Sequence, residues 1–422
     1  MSHPIEAVLI GAGNRGYDAY GPYALQHPDQ IRFTAVVEPH EGRRRRFAQA
    51  HDIPPERQFW SWQDLYARGQ IAEALVNCTL DRMHLASTLP ALELGYKVLL
   101  EKPMSNTLEG NVRLVQSAER HARLLMICHV LRYTAFFTTL HQIVASGRLG
   151  RIITVEHREN VVYWHMAHSF VRGNWRRSEI ESPMILAKCC HDMDILFWNL
   201  GAIQRLSSFG SLIHFRPQNA PSGAPQRCTD GCPAADDCPW YAPRLYLHDH
   251  TGWPVSVISE DPSLQARQRA LETGPYGRCV YHCDNDVVDH QTVNLEFESG
   301  ATGVLVMHGH SHEEARTMRY DGTRATLRGK FSYGFGDNIE IHDHLTGRIE
   351  HIDPQAGDSG HGGGDAGLMA AFVQALREPK LGQTTARESL ESHLMAFAAE
   401  QARVRGEVVN MDEFRRQVEA AG

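Results

Sequence analysis

The chain has 422 residues, enough for one large domain or two ordinary ones, and its 42% apolar and 22% charged residues are those of an average folded protein, which excludes disordered, collagen-like and coiled-coil architectures. Its formal net charge of −8 carries no basic stripe, so neither nucleic acid nor an acidic membrane surface is expected as a partner. No run approaches the roughly 18 to 20 apolar residues of a membrane helix, the N-terminus enters an apolar strand rather than a signal peptide, and nine cysteines are too few for a disulfide scaffold, which together point to the cytoplasm.

In chain order, short apolar runs alternate with helical stretches from residue 5 to about 130: AVLIG at 7–11, FTAVVE at 33–38, EALVNCT at 73–79, KVLLEKP at 97–103 and LLMICH at 124–129. Strands that are apolar on both sides belong to a parallel sheet covered by helices on both faces. After about 150 the pattern turns to longer alternating strands, RIITVEHRENVVY at 151–163, VVDHQTVNLEFESG at 287–300 and ATGVLVMHG at 301–309, which predict a largely antiparallel sheet with one wet face. Asp321-Gly322 marks a hairpin. Between 214 and 283 lies an insertion rich in Pro, Cys and Gly, too long for a plain loop, and SGHGGGDAGL at 359–368 is a permissive segment before the C-terminal helices, either a hinge or a point of close approach to a ligand.

The first strand runs into Gly11-Ala12-Gly13-Asn14-Arg15-Gly16 and then a helix, the context in which a glycine turn lets backbone approach a pyrophosphate. Glu38 closes the next strand, placed to accept hydrogen bonds from the adenosine ribose, and a carboxylate there favours NAD over NADP. Arg43 or Arg44 of the run at 43–46 could reach a 2′-phosphate, although a solvated helix face is the simpler reading. The fold class is thus α/β: an N-terminal Rossmann domain at 1–130, then an α+β domain at 131–364 on a largely antiparallel open sheet with its insertion at 214–283, and helices at 365–422 packing back on the core.

The order GAGNRG, Glu38, Thr79 with His84, Glu101-Lys102-Pro103, then a histidine-bearing helix in a second β-rich domain resembles the glucose-fructose oxidoreductase, inositol dehydrogenase and MocA family over nearly the whole chain. The resemblance implies a nicotinamide-dependent oxidoreductase acting on a sugar or polyol, with Thr79, His84 and Glu101 at the cofactor, Lys102 and His191 at the reacting carbon, and a dimer or tetramer in solution. Four residues before His191 the family pattern has Asp; this chain has Ala187, with Lys188 beside it. The residues make chemical sense on their own terms, because hydride loss from a carbinol needs a base for the hydroxyl proton and positive charge beside the developing alkoxide. His191 suits the base and Lys102 the charge, while Lys188, His191 and Asp192 share one helix face and Lys188 is a candidate for a second proton transfer.

For the substrate, Tyr163, His165, His168 and Trp175 put aromatic faces and hydrogen-bonding groups in one segment, with Asp192 as a further contact, and His129 follows the last Rossmann strand where it could border the nicotinamide. Five thiols, Cys228, Cys232, Cys238, Cys279 and Cys283, could converge on a structural zinc in the insertion, or less readily on an iron–sulfur cluster. The leading function is an NAD-dependent dehydrogenase of a sugar, sugar derivative or cyclitol. The alternative is an NAD-dependent glycosidase that oxidises, eliminates, hydrates and re-reduces, and a third reading is a redox sensor that keeps the dinucleotide site.

Overall fold

The computed structural model describes residues 3–355, 357, 360–378 and 384–421; Ser359 of the glycine-rich segment and residues 379–383 between the C-terminal helices lie outside the described residues. The first sheet holds β1 (Ile5–Ile10), β2 (Ile31–Val37), β3 (Gln58–Phe59), β4 (Ala74–Asn77), β5 (Lys97–Leu100) and β6 (Leu125–Ile127), every adjacent pair parallel, in the order 3-2-1-4-5-6. Its unbroken apolar runs follow from burial on both faces. Ala7 and Leu9 of β1 pack into one hydrophobic cluster, and Val8 and Ile10 into another on the opposite side. Strand order reverses between β1 and β4, and the crevice beyond their carboxyl ends is where open α/β sheets bind ligands. The two-residue β3 carries no pattern from which it could be read.

The second sheet has nine strands: β7 (Ile152–Val162), β8 (Ile203–Ser211), β9 (His290–Phe297), β10 (Thr302–Ser311), β11 (Ala315–Gly322), β12 (Ala325–Phe331), β13 (Asn338–Asp343), β14 (Ile349–Ile352) and β15 (Val409–Asn410), in the order 14-13-12-11-7-10-9-8-15. All pairs are antiparallel except β7 with β10. The hairpin foreseen at Asp321-Gly322 is present, but those residues end β11 and the turn falls on Thr323-Arg324. One sheet face is covered by the helix Met184–Leu200, against which the helix Ala386–Arg405 packs; the other face is open, with Ile153 and Phe209 exposed.

Between β8 and β9 the insertion is organised without strands. Cys228, Ala242, Tyr246, Val255 and Leu271 form a small core of their own. Two buried arginines satisfy the loop carbonyls: Arg172 donates to the carbonyls of Arg278 and Trp240 at 2.7 Å, and Arg267 to those of Tyr246 at 2.8 Å and His248 at 2.9 Å.

Candidate active site

At the end of β1, Gly11 has φ +89°, and a Cβ there would lie 2.6 Å from the Cys78 carbonyl oxygen; at Gly16 a Cβ would lie 2.2 Å from the carbonyl oxygen of Gly11. Both glycines are therefore required by the turn itself. Around Gly13 a Cβ would meet nothing within 4 Å, so an open cradle lies where the helical turn Asn14–Tyr20 begins, which fits a pyrophosphate approaching backbone N–H groups. Glu38, 6% exposed, accepts hydrogen bonds from the backbone N–H groups of Ala12 and His40, both at 2.9 Å, and so holds its carboxylate beside the cradle. The basic run is occupied elsewhere. Arg44 is buried, donating to the Glu38 carbonyl at 2.6 Å and stacking on Trp60, so it is not part of a solvated face; Arg43 pairs with Glu260, Arg45 with Glu41, and Arg46 stacks on Tyr17.

Arg15 turns its side chain inward rather than toward the cradle. It donates to Glu101 at 2.6 Å, Asp365 at 2.7 Å and the Tyr20 hydroxyl at 2.6 Å, and its guanidinium reaches to 3.5 Å from His361. Glu101 also accepts from Tyr20 at 2.6 Å; burial alone would raise its pKa, but Arg15 and Lys102 outweigh that and hold it below the ordinary carboxylate value. Thr79 donates to Asn77, and the fully buried His84 spans the carbonyl oxygens of Thr79 at 3.0 Å and Pro103 at 2.7 Å, so it fixes two strand ends against each other and has no free nitrogen for a cofactor.

Lys102 follows β5 and donates from Nζ to the Ala187 carbonyl at 2.9 Å, which pins its ammonium against the helix Met184–Leu200. His191 lies one turn further on, 5% exposed, its Nδ1 buried without a hydrogen-bond partner. Burial first, then the Lys102 ammonium, pushes its pKa well below the ordinary histidine value, so the ring is neutral at pH 7. The His129 ring sits 5.7 Å from that of His191 and 5.6 Å from that of His393; burial lowers His129 to about 4 and His393 to about 3. His393 accepts the Met104 N–H at 2.9 Å and thereby positions the segment carrying Lys102.

Lys188 and Asp192, on the same helix, go to a different environment. Lys188 Nζ lies 2.7 Å from Glu314 and 3.2 Å from Glu159; Arg316 lies 2.6 Å from Glu159 and 2.9 Å from Asp192; and Asp192 accepts from His157 at 2.7 Å. All of these but Lys188 and Glu314 are essentially without exposure. Burial would raise the pKa of Asp192, but Arg316 and His157 bring it down to about 2, and the two carboxylates hold the Lys188 ammonium well above its ordinary value despite burial. Asp192 thus faces this ion cluster and not a substrate cleft.

Of the segment at 159–177, Tyr163 is half-buried, and His165 bonds Glu314 at 3.0 Å. His168 is 3% exposed, bonded to the Tyr246 hydroxyl at 2.9 Å and stacked on Tyr276, and burial lowers its pKa to about 3; it braces the insertion. Trp175 donates to Asp81 at 3.1 Å, tying the two domains together. The residues not foreseen are Glu159, Glu314, Arg316, His361, Asp365 and His393. For two of them a signal exists: Glu159 shares the inward phase of β7 with Val155, and Arg316 that of β11 with Met318 and Tyr320.

The structure does not support the metal expectation. Among the described residues no group of three or more His, Cys, Asp or Glu is placed to hold a metal ion, and all nine cysteines are free thiols. Cys228, Cys232, Cys238 and Cys279 line one recess of about 10 Å³, room for about one water molecule, which is too small for an iron–sulfur cluster. The Arg172 guanidinium lies 3.6 Å from Cys228 Sγ, a cation on the side a metal would need, and Cys283 bonds the Cys279 carbonyl outside the recess.

Residues 5–129 match the family model described as an oxidoreductase family NAD-binding Rossmann fold, and residues 141–411 match its C-terminal alpha/beta domain. The chain belongs to the Gfo/Idh/MocA oxidoreductase family. It is 21% identical to the YteT protein of Bacillus subtilis over 68% of this chain and 69% of that one. It is 24% identical to the inositol 2-dehydrogenase of Corynebacterium glutamicum over 48% of this chain, spanning only 56% of that relative. The levoglucosan dehydrogenase solved with NADH and levoglucosan shares the fold at TM-score 0.71 and 15% identity, covering 97% of this chain and 100% of that one. As a member of this family the chain is an oxidoreductase with an NAD-binding domain. Among the described residues no helix is long and apolar enough to cross a membrane.

Proposed function

We propose that the protein is an NAD-dependent dehydrogenase that moves a hydride between a ring hydroxyl of a sugar, sugar derivative or cyclitol and the nicotinamide. The observation that carries this reading is the pairing of a pinned ammonium, Lys102 on the Ala187 carbonyl, with a neutral, unpartnered imidazole, His191, at the carboxyl edge of the Rossmann sheet. Relatives named for inositol and levoglucosan support a polyhydroxylated ring as substrate. The bound nicotinamide supplies the hydride acceptor or donor. Lys102 hydrogen-bonds the substrate oxygen and steadies negative charge as it develops, and His191 takes the hydroxyl proton, which a ring already neutral at pH 7 can accept. Glu38 accepts from the adenosine ribose and repels a 2′-phosphate, which selects NAD over NADP.

Lys188 is held between two carboxylates and is not free to shuttle protons, so the glycoside-cleaving alternative loses the residue that motivated it. We also place the enzyme in a reducing cytoplasm, to which nine free thiols are suited, and assign subunit pairing to the open sheet face. The test is a panel of free sugars, cyclitols and aryl glycosides with NAD, read together for NADH and released aglycone. NADH growth in proportion to ketone is the expected result; aglycone release that requires NAD but leaves no NADH would overturn it.

A further inference from the structure

The insertion builds a second open pocket, of about 310 Å³, between Trp164 and the loop carrying Tyr246, His248, His250 and Trp253. We propose that this pocket is a subsite for a second, uncharged sugar ring, so that the enzyme takes a disaccharide or similar glycoside in preference to a free monosaccharide. The proposal rests on the dehydrogenase reading above and narrows its substrate class.

Its walls suit a pyranose. The Trp164 and Trp253 rings lie 5.4 Å apart at 57° to one another, and Trp253 is 38% exposed, so part of its ring is open to a ligand. Aromatic faces accept the apolar C–H face of a sugar ring; at the exposed rim His248 is engaged with the Leu245 carbonyl and the His250 N–H, and His250 Nε2 lies 3.4 Å from the Trp253 carbonyl, which leaves His250 Nδ1 to hydrogen-bond a ligand. The volume is at the low end of the about 300–1,000 Å³ of ligand pockets, room for one ring and not for a polymer.

Charge decides the class of ligand. Arg244 is the pocket's only Lys or Arg side chain, and its guanidinium is already committed to the backbone carbonyls of Cys238 at 2.7 Å and Ala235 at 2.6 Å. Three of its five N–H donors are used, both of those on one terminal nitrogen going to Ala235 and Asp236, so no fork is left to grip a phosphate or carboxylate bidentately, whereas a neutral ring needs none.

Location and rigidity connect the pocket to the reaction. The Trp253 ring is 4.9 Å from that of His165, and His165 bonds Glu314 at 3.0 Å, the carboxylate that also holds Lys188; the Lys102 ammonium is near enough to help lower the His165 pKa. The pocket thus adjoins His165, whose own surroundings include the Lys188–Glu314 pair and the Lys102 ammonium. From beneath, buried Arg267 holds the carbonyls of Tyr246 and His248, and His168 holds the Tyr246 hydroxyl, so the loop is fixed before any ligand arrives.

The experiment compares kcat/KM for glucose, methyl glucosides and a panel of α- and β-linked disaccharides in the unmodified enzyme, Trp253→Leu and the rim variant His250→Ala, whose exposed side chain makes loss of folding no concern. The ratio of disaccharide to monosaccharide kcat/KM exceeds one in the unmodified enzyme and falls about tenfold or more in Trp253→Leu, the scale of a lost apolar contact in a specificity pocket. Saturation-transfer NMR on the unmodified enzyme with NAD reads the same subsite without turnover, with the second ring's protons saturated and the signal weakened in both variants. A ratio unmoved by both substitutions, or no saturation of the second ring, overturns the subsite. Absence of NADH with every sugar while the second ring is still saturated would overturn the dehydrogenase reading and leave the subsite standing.

Discussion

Two sides of one helix, Met184–Leu200, carry similar residues into opposite environments. Lys188 and Asp192 enter a buried ion cluster in which each charge meets opposite charges within 3.3 Å; His191, between them in sequence, keeps a buried nitrogen with no partner. Burial of a paired charge holds the fold in one arrangement; in that cluster His157 also has a buried, unpaired Nδ1, but its Nε2 is bonded to Asp192, whereas neither nitrogen of His191 is spent on a protein partner. Residue type and helical phase alone do not distinguish the two. The decisive information is whether neighbouring strands supply partners.

The comparison is broken most directly at His191. Replacing it with Gln, which fills much of the same volume but is no base, is expected to lower kcat by about 10²- to 10⁴-fold, the range for losing a general base, while the urea midpoint stays nearly level because no hydrogen-bond partner is lost. An enzyme whose urea midpoint falls with its activity would put His191 in the structural class. Lys102→Met tests the other half of the pair. Loss of one preorganised donor predicts about a 10²- to 10³-fold fall in kcat, read by stopped-flow NADH formation in protein whose circular dichroism is unchanged.

On the other side of the helix the largest effect should be on stability. Arg316→Met leaves Asp192 and Glu159 buried without their guanidinium, which predicts a loss of about 3–5 kcal/mol in urea unfolding. If the variant unfolds at the same urea concentration as the parent, the ion cluster is not what fixes this helix.

The same contrast sets how far the sequence was legible. The parallel sheet could be read because its strands are buried on both faces, and the cradle because its glycines are adjacent and their spacing is dictated by local sterics at Gly11 and Gly16. Lys102 and His191 were legible as types at positions. The fate of Lys188 was not, since Glu159 and Glu314 reach it from β7 and from the residue before β11, and no local spacing encodes that meeting. The thiols were the louder signal for a related reason: cysteine spacing suggests a metal, while the arginines that bond the insertion's carbonyls leave no pattern in sequence.

Acid sharpens the comparison further. Burial lowers His129 to about 4 and His168 and His393 to about 3, so between pH 6.5 and those values the unfolded chain binds protons that the folded chain refuses. The stability they contribute is complete above pH 6.5 and lost as pH falls toward 4, well before Asp192, held down to about 2, is protonated in the fold. Thermal unfolding followed from pH 7.5 to 4.5 should therefore show Tm declining from about pH 6.5 downward. A Tm that is flat to pH 4.5 would mean that these rings are paired and charged, not buried neutral.

The smallest effect is expected where the sequence pattern was loudest. If the four recess thiols hold no metal, incubation with a strong chelator leaves Tm unchanged, and Cys232→Ser, at a half-buried thiol, shifts stability by no more than about 0.5 kcal/mol. A structural zinc would behave differently, because its binding energy is folding energy and chelation would collapse the insertion. The pocket beside Trp253 reports that collapse independently, since it is shaped by the loop at 246–254, whose Tyr246 and His248 carbonyls Arg267 holds. Chelator-resistant Tm together with an intact tryptophan spectrum would assign the insertion's order to its two buried arginines, and loss of either signal on chelation would return it to the cysteines.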